Sequence, residues 1–321
     1  MSSEVRRAAQ VLRAGGLVAF PTETVYGLGA DAANAQAVAK LYAAKARPAD
    51  HPVIVHFADA TLAFAWAREV PEVAHKLAAA FWPGPLTLIL KRAPRVCDFI
   101  TGGQDTVGLR VPSHPVAQRL LRAFGGEGAA GRYSGIAAPS ANRFGRISAT
   151  TAQHVREDLG AEVDCVLEGG PSEVGIESTI LDLSGGNPAL LRPGAVSAEA
   201  LEHALGVAVS PADSGAPRAS GMLERHYAPK TRARLVPAYA LDAEIAKLGA
   251  RVAVLAFSRP DERVEYWLRM PREPDAYARR LYAALRELDS AECDEILIEV
   301  PPDESAWRAV RDRLQRAASR A

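Results

Sequence analysis

The sequence predicts an α/β protein of two layered domains, the first larger than the second. Short apolar, β-rich runs alternate with alanine-rich helical patterns through about residue 205. An irregular stretch rich in Pro, Gly and Ser breaks the pattern at 208–220, and a shorter βαβα series follows it. At 321 residues the chain is long for one compact domain, and its 48% hydrophobic content supplies a core. The boundaries read as 1–207 for the first domain, 208–232 for a linker and 233–321 for the second domain.

Residues 1–14 space Val5, Ala9 and Leu12 as one helix face, which Gly15-Gly16 ends before a strand over Leu17–Phe20. Further strands are predicted at Pro52–Phe57, Leu86–Leu90, Val107–Val111, Ile136–Ala138, Val163–Leu167 and Ser178–Leu183, with helices over 34–44, 69–81 and 114–124. The second domain reads as a strand at Arg234, a helix over 240–248, a strand over Val252–Phe257, a helix over 274–288, a strand over Glu295–Val300 and a helix over 304–319. This is a small Rossmann-like pattern without a Gly-x-Gly-x-x-Gly turn, so dinucleotide binding is not its evident role. A Gly-rich insert, Gly125–Gly131, is the one low-complexity segment.

Lys and Arg number 38, as do Asp and Glu, so no global field draws the chain to nucleic acid or an anionic membrane. Arginine outnumbers lysine 32 to 6, read as genomic base-composition bias. Cys97, Cys165 and Cys293 lie far apart, without metal-ligand spacing or a disulfide framework, and read as packing residues of a protein in a reducing cytoplasm. The N-terminus reads as a structural helix, not a signal peptide. No apolar run reaches the roughly 20 residues that a membrane span requires.

In the first domain, apolar strands repeatedly run into polar side chains. Thr22, Glu23 and Thr24 follow the first strand; Lys45 and Arg47 precede the strand that carries His56; Arg110 sits within its own strand pattern. Ser140 and Asn142 follow Ile136–Ala138, Ser178 opens a strand, and Arg192 follows Leu190-Leu191. Ligands commonly bind at strand ends of α/β sheets. Lys45, Arg47, Arg110 and Arg192 could neutralise a polyphosphate, while Thr22, Ser140, Asn142 and Ser178 could orient a small polar molecule. There is no P-loop pattern, and no Ser-His-Asp or paired-carboxylate arrangement.

Each group also has a plain structural reading. Pro21–Thr24 could form a turn or cap; Lys45 and Arg47 could be a solvated helix end; Arg192 could bind a carbonyl. Alternation could turn His56 and Arg110 toward a cleft or toward solvent.

Read together, the motifs resemble the threonylcarbamoyl-AMP synthase family, the YrdC-like enzymes, in their longer two-domain form. The matching stretches are Phe20–Gly29, Lys45–Pro48, Pro52–His56, Trp82–Thr87, Val107–Pro112, Ala138–Asn142, Gly175–Ile180 and Leu191–Gly194, in family order. Gly221–Pro229 is similar to the His-Tyr-Ala-Pro segment with which the longer form's linker returns to the active-site cleft. Pro302–Val310 and the 125–134 insert depart from the family pattern.

The resemblance implies a YrdC-like twisted-sheet domain with an open cleft, followed by the smaller Rossmann-like domain. It implies synthesis of L-threonylcarbamoyladenylate and pyrophosphate from L-threonine, bicarbonate and ATP, with Mg2+ on the triphosphate. The product would serve a downstream tRNA-modifying transferase complex, and the resemblance leaves room for a weak direct tRNA contact. Carried over by position, Thr22, His56, Arg110 and Ser178 would bind threonine or bicarbonate. Lys45, Arg47, Thr106, Ser140, Asn142, Ser148 and Arg192 would line the nucleotide side, with Lys45, Arg47 and Arg110 as the catalytic cations. Arg110 could serve either ligand. His226 and Tyr227 would belong to a linker lid that keeps water from the product. In the opening stretch the first strand delivers Thr22, and Tyr26–Gly29 is expected to turn the backbone tightly beside it.

An RNA-binding module is the rival from another class, disfavoured by the absence of a Lys/Arg-rich run or an aromatic stacking motif. An enzyme of hydrogenase maturation that handles a related carbamoyl-adenylate is a second rival; it predicts attached acylphosphatase or zinc-finger regions, which this sequence does not contain.

Overall fold

In the computed structural model, which describes residues 2–125, 134–213, 215–249 and 251–319, the chain divides into two compact units. The first comprises Met1–Phe144, Ala149–Glu173 and Glu177–Met222; the second comprises Gly145–Ser148, Val174–Ile176 and Leu223–Ala321. The predicted linker is thus shared, its part up to Met222 belonging to the first unit. Apart from Gly125, the Gly-rich insert lies outside the described residues.

The first unit runs α1 (Ser3–Arg13), β1 (Val18–Phe20), β2 (Gly27–Asp31), α2 (Ala35–Lys45), β3 (Ile54–His56), α3 (Ala60–Phe64), α4 (Glu72–Phe81), β4 (Leu86–Lys91), α5 (Asp98–Thr101) and β5 (Thr106–Arg110). It continues through α6 (Pro115–Gly125), β6 (Ile136–Ala137), α7 (Ala152–Leu159), β7 (Cys165–Val166), β8 (Thr179–Asp182), β9 (Ala189–Arg192), α8 (Ala198–Leu205) and β10 (Ser210–Pro211). The strands join in one mixed sheet of order β10-β9-β8-β4-β5-β3-β6-β2-β1-β7.

Strand alternation assigns this sheet its two faces. Val53, Val55, Leu86, Leu88, Leu90, Val107 and Leu109 enter the main core, which also holds Val38 and Leu41 of α2, Leu77 of α4 and Leu201 of α8. Their neighbours Ile54, Ile89, Ile180 and Leu191 form a second apolar cluster, where Ala219 and Met222 pack on them. Beside β1, α1 and α6 close a third core around Phe20, Leu120, Leu121 and Phe124. Ser2, Asn34, Asp59, Thr151 and Ser197 cap α1, α2, α3, α7 and α8 by accepting first-turn N–H groups.

The glycines of the opening stretch correct the sequence reading. Gly27 and Gly29 do not turn; they belong to β2, antiparallel to β1 in the register Phe20↔Gly27 and Val18↔Gly29. The turn is residues 21–26. Gly29 is needed for close packing: a methyl group there would stand 2.8 Å from Ile136 Cγ2 and 2.9 Å from Phe20 Cε1. Cys97, expected to pack, is exposed.

The second unit holds β11 (Arg232–Val236), α9 (Leu241–Leu248), β12 (Val252–Ala256), β13 (Tyr266–Arg269), α10 (Pro274–Asp289), β14 (Glu295–Glu299) and α11 (Arg308–Ala318). Its sheet is all parallel, of order β11-β14-β12-β13, the Rossmann-like character expected. Edge strand β13 escaped the sequence reading, because no helix separates it from β12 and Tyr266 and Arg269 are exposed. Among the described residues no helix is long and apolar enough to cross a membrane.

Replacing Gly29 with valine forces a branched side chain against Ile136 and Phe20, so unfolding in urea is expected to show a loss of about 1–3 kcal/mol. An unchanged midpoint would contradict the flush packing of β2 on β1.

Candidate active site

The site of the first unit lies where the second apolar cluster gives way to polar side chains. His56 ends β3 and Arg110 ends β5, and the parallel register pairs them directly. Leu88 faces Leu109 across antiparallel β4 and β5, which puts Thr87 beside Arg110 on the same face. Thr87 Oγ1 and Ser178 Oγ are 2.8 Å apart. His56, Arg110, Thr87 and Ser178 thus form one row across neighbouring strands, all buried. The alternation left open by the sequence is resolved: His56 and Arg110 share the face of Ile54 and Gly108, opposite the main core.

Arg110 is held by two acceptors. Its Nε donates to Gly84 O at 3.3 Å and its Nη2 to Glu23 Oε1 at 2.5 Å. The other Glu23 oxygen accepts Ser113 N–H at 3.1 Å. Both side chains of this ion pair are 5% exposed. A buried pair of this kind adds little net stability, but removing one partner strands the other charge at a cost of about 3–5 kcal/mol.

His56 is neutral. Burial, and then the nearby Arg110 charge, push its pKa down to about 3. Its Nδ1 is buried without a hydrogen-bond partner among the described residues, and Phe20 packs edge-on at 6.2 Å. Thr22 takes the structural reading offered for it: its hydroxyl donates to Val25 O at 2.6 Å, accepts Thr24 and Val25 N–H, and lies 2.9 Å from Thr24 Oγ1. It shapes the 21–26 turn whose next residue is Glu23.

The predicted nucleotide-side cations are buried, and each donates to a main-chain carbonyl. Lys45, in the last turn of α2, donates through Nζ to Ser140 O at 2.5 Å and to Asn142 O. Burial, and then Arg47, hold its pKa well below the usual lysine value. The loop it grips is pinned to β2 by Leu28 N–H to Pro139 O and Ala141 N–H to Tyr26 O, each 2.8 Å. Asn142 is buried and its Nδ2 donates to Arg143 O at 2.8 Å, while Ser140 is half-buried. Arg47 donates to Pro52 O at 2.7 Å and to Ser220 Oγ at 3.3 Å, with its guanidinium 5.3 Å from the centre of the Phe144 ring.

Arg192 wraps Ser178, donating from Nε and Nη2 to its carbonyl at 3.0 and 2.9 Å and from Nη2 to its hydroxyl at 3.1 Å; Nη1 donates to Ser220 O at 2.8 Å. This close approach needs Gly194, where a methyl would stand 2.4 Å from Thr179 N. Thr106, half-buried at the start of β5, lines a cavity with Ile54, Gly108, Ala219 and Ser220 that leaves about 10 Å³ for solvent.

Ser148, His226 and Tyr227 belong to the second unit. There Ser148 O accepts from Arg286 Nε at 3.5 Å. Tyr227 takes the left-handed conformation, φ 60°, with its ring 4.2 Å from that of His226, stacked on Tyr282 at 5.8 Å and 5.1 Å from the Arg313 guanidinium.

Glu23, Thr87 and Ser220 are the site residues that sequence reasoning did not select. The signal for Glu23 was present: one carboxylate at a strand end, and one arginine inside another apolar strand that requires a counter-charge. Thr87 reads as an ordinary strand residue, and Ser220 is hidden by linker composition.

A family profile described as "Telomere recombination", covering YciO- and YrdC-type sequences, matches residues 10–194, and one described as "Threonylcarbamoyl-AMP synthase, C-terminal domain" matches 196–319. The chain is 40% identical over 329 aligned residues to the threonylcarbamoyl-AMP synthase of Pyrococcus abyssi, covering 98% of this chain and 94% of that one. It is 39% identical to the enzyme of that name from Bacillus subtilis, covering 98% and 93%. The crystal structure of the P. abyssi relative complexed with L-threonine superposes with a TM-score of 0.88 at 38% identity, covering 98% of this chain and 94% of that one.

The neutral His56 has a signature in stability. An unfolded imidazole protonates near its usual value of 6.5, whereas folded His56 stays neutral to about 3. Between the two the unfolded state binds more protons, so this residue's contribution is present above about pH 6.5 and is lost as pH falls toward 3. His56→Asn is therefore expected to flatten the fall in Tm between about pH 7 and 5 relative to the parent protein, measured by thermal unfolding. Parallel profiles would contradict the assignment.

Proposed function

The chain belongs to the threonylcarbamoyl-AMP synthase family, and from that membership we infer that it joins L-threonine, bicarbonate and ATP to give L-threonylcarbamoyladenylate and pyrophosphate. The observation that supports the site assignment most strongly is the row of His56, Arg110, Thr87 and Ser178, with Arg192 bonded to Ser178 and sharing Ser220 with Arg47. The relative crystallised with L-threonine has the same fold.

On this reading Arg110 takes the carboxylate of threonine with a guanidinium fork suited to it. Neutral His56 and the Ser178 hydroxyl offer uncharged hydrogen bonds to the remaining polar groups of the amino acid or its carbamate, and Thr22 shapes the wall. Lys45, Arg47, Thr106, Ser140, Asn142 and Arg192 would form the nucleotide side within the first unit. Threonine nitrogen and bicarbonate carbon form the carbamate with loss of water. A carbamate oxygen then bonds to the α-phosphorus as the bond to the bridging oxygen breaks and pyrophosphate leaves. Positioning and charge neutralisation drive such a displacement, so no covalent enzyme nucleophile is required. Burial raises the thiol pKa of Cys165 and Cys293, leaving them poor nucleophiles.

Magnesium would arrive with ATP, held by phosphate oxygens and water. The described residues present no group of three His, Cys, Asp or Glu side chains able to hold an ion, so none is assigned to it. The product, a reactive mixed anhydride, would pass to a tRNA-modifying transferase complex in the cytoplasm.

Pyrophosphate release from ATP is expected to require both L-threonine and bicarbonate, with serine and allothreonine as weaker substrates. Release that ignores threonine would overturn this reading.

A further inference from the structure

We propose that Glu23 is a positioning residue that aims Arg110 at the carboxylate of the amino-acid substrate; this rests on the reading of the His56–Arg110–Ser178 row as the threonine side. The geometry is specific. Arg110 Nε is fixed on Gly84 O and Nη2 on Glu23, which stops the guanidinium plane from rotating. Nη1 has no hydrogen-bond partner among the described residues and is not sealed from solvent. One edge of the fork is therefore held by the protein, and the other is presented to a ligand. A planar carboxylate is the complement of such an edge.

Glu23 is itself fixed at both oxygens, one on Arg110 and the other on Ser113 N–H. It thereby ties the 21–26 turn to the end of β5 and to the chain just beyond it. A glutamine in its place could still accept a hydrogen bond, but without the charge-assisted attraction that fixes the fork. A carboxylate serving only to neutralise a buried arginine would need no second anchor. The second anchor fixes the position of Oε1, and through it the direction of Nη1. Arg110 touches the substrate in this scheme, and Glu23 acts through it.

A change in fork direction should be read by the amino acid and not by ATP. Steady-state pyrophosphate release by Glu23→Gln is expected to show the KM for L-threonine raised about ten- to hundred-fold, while the KM for ATP stays within about two-fold. Calorimetric L-threonine binding should give matching losses for Glu23→Gln, Arg110→Ala and the double variant, because the first change acts only through Arg110. Equal rises in both KM values, a fall in kcat alone, unchanged kinetics, or an additive double variant would overturn the proposal.

If Glu23→Gln does not fold, Glu23→Asp serves. It keeps the charge and shortens its reach by one methylene, so a threonine-selective rise in KM is expected and an unselective or absent change overturns the proposal. Failure of the functional reading is distinct: the parent protein itself would then release pyrophosphate without a requirement for threonine.

Discussion

The alternation of three adjacent strands is the constraint on which the first unit depends. β3, β5 and β4 each send leucine or valine into the main core, and the same backbone geometry sends Ile54 and His56, Gly108 and Arg110, and Ile89 and Thr87 to the opposite face. A slip of one residue in β3 or β5 would bury His56 or Arg110 among leucines and withdraw it from the row, and a slip in β4 would do the same to Thr87. The large core thus fixes a register that the polar residues could not enforce themselves. Burying His56 and Arg110 has a cost, which the apolar side chains of the same strands offset on the other face.

The cations of the first unit are held in two different ways. Lys45, Arg47 and Arg192 each donate to main-chain carbonyls, and Arg47 and Arg192 also to serine hydroxyls, acceptors that orient a cation. Arg110 faces a carboxylate, and the pair with Glu23 is neutral. Under the proposed function, the first arrangement presents cations to a polyphosphate in a buried setting, where charge acts strongly. The second suits a zwitterion, for which an uncompensated cation would attract one end and repel the other.

The layered α/β order of both units was legible in the sequence, because the strands are short apolar runs bounded by turn residues and the helices carry clear apolar stripes. So was the gathering of His56, Arg110 and Arg192 at strand ends, with Ser178 just before β8 and Lys45 and Arg47 at the end of α2. The misreadings share a physical origin. Gly27 and Gly29 read as a turn because glycine is usually placed for its backbone freedom, whereas here it is placed for the space it leaves beneath Phe20 and Ile136. Glu23 finds Arg110 across 87 positions of sequence and Thr87 finds Ser178 across 91, so neither pairing leaves a local pattern. Alternation could not say which face of β3 and β5 met the cleft, because both faces are covered; that depends on residues 216–222 returning to the sheet.

Those linker residues also set the terms on which a nucleotide could enter the first unit. Ser220 occupies donors of two of the cations, taking Nη1 of Arg192 on its carbonyl and Nη2 of Arg47 on its hydroxyl, and about 10 Å³ remains beside Thr106. Under the proposed function a triphosphate reaching these arginines would compete with residue 220 for their donors. The guanidinium is charged in either case, and a phosphate oxygen adds the attraction of a second, opposite charge, so phosphate oxygens compete well with a carbonyl and a hydroxyl for the same donors. Ala219 also leaves apolar contact with Ile54 and Ile89 when the segment shifts, which opposes the exchange. The linker thus orders the two arginines through a carbonyl and a hydroxyl, acceptors that phosphate oxygens would replace under the proposed function.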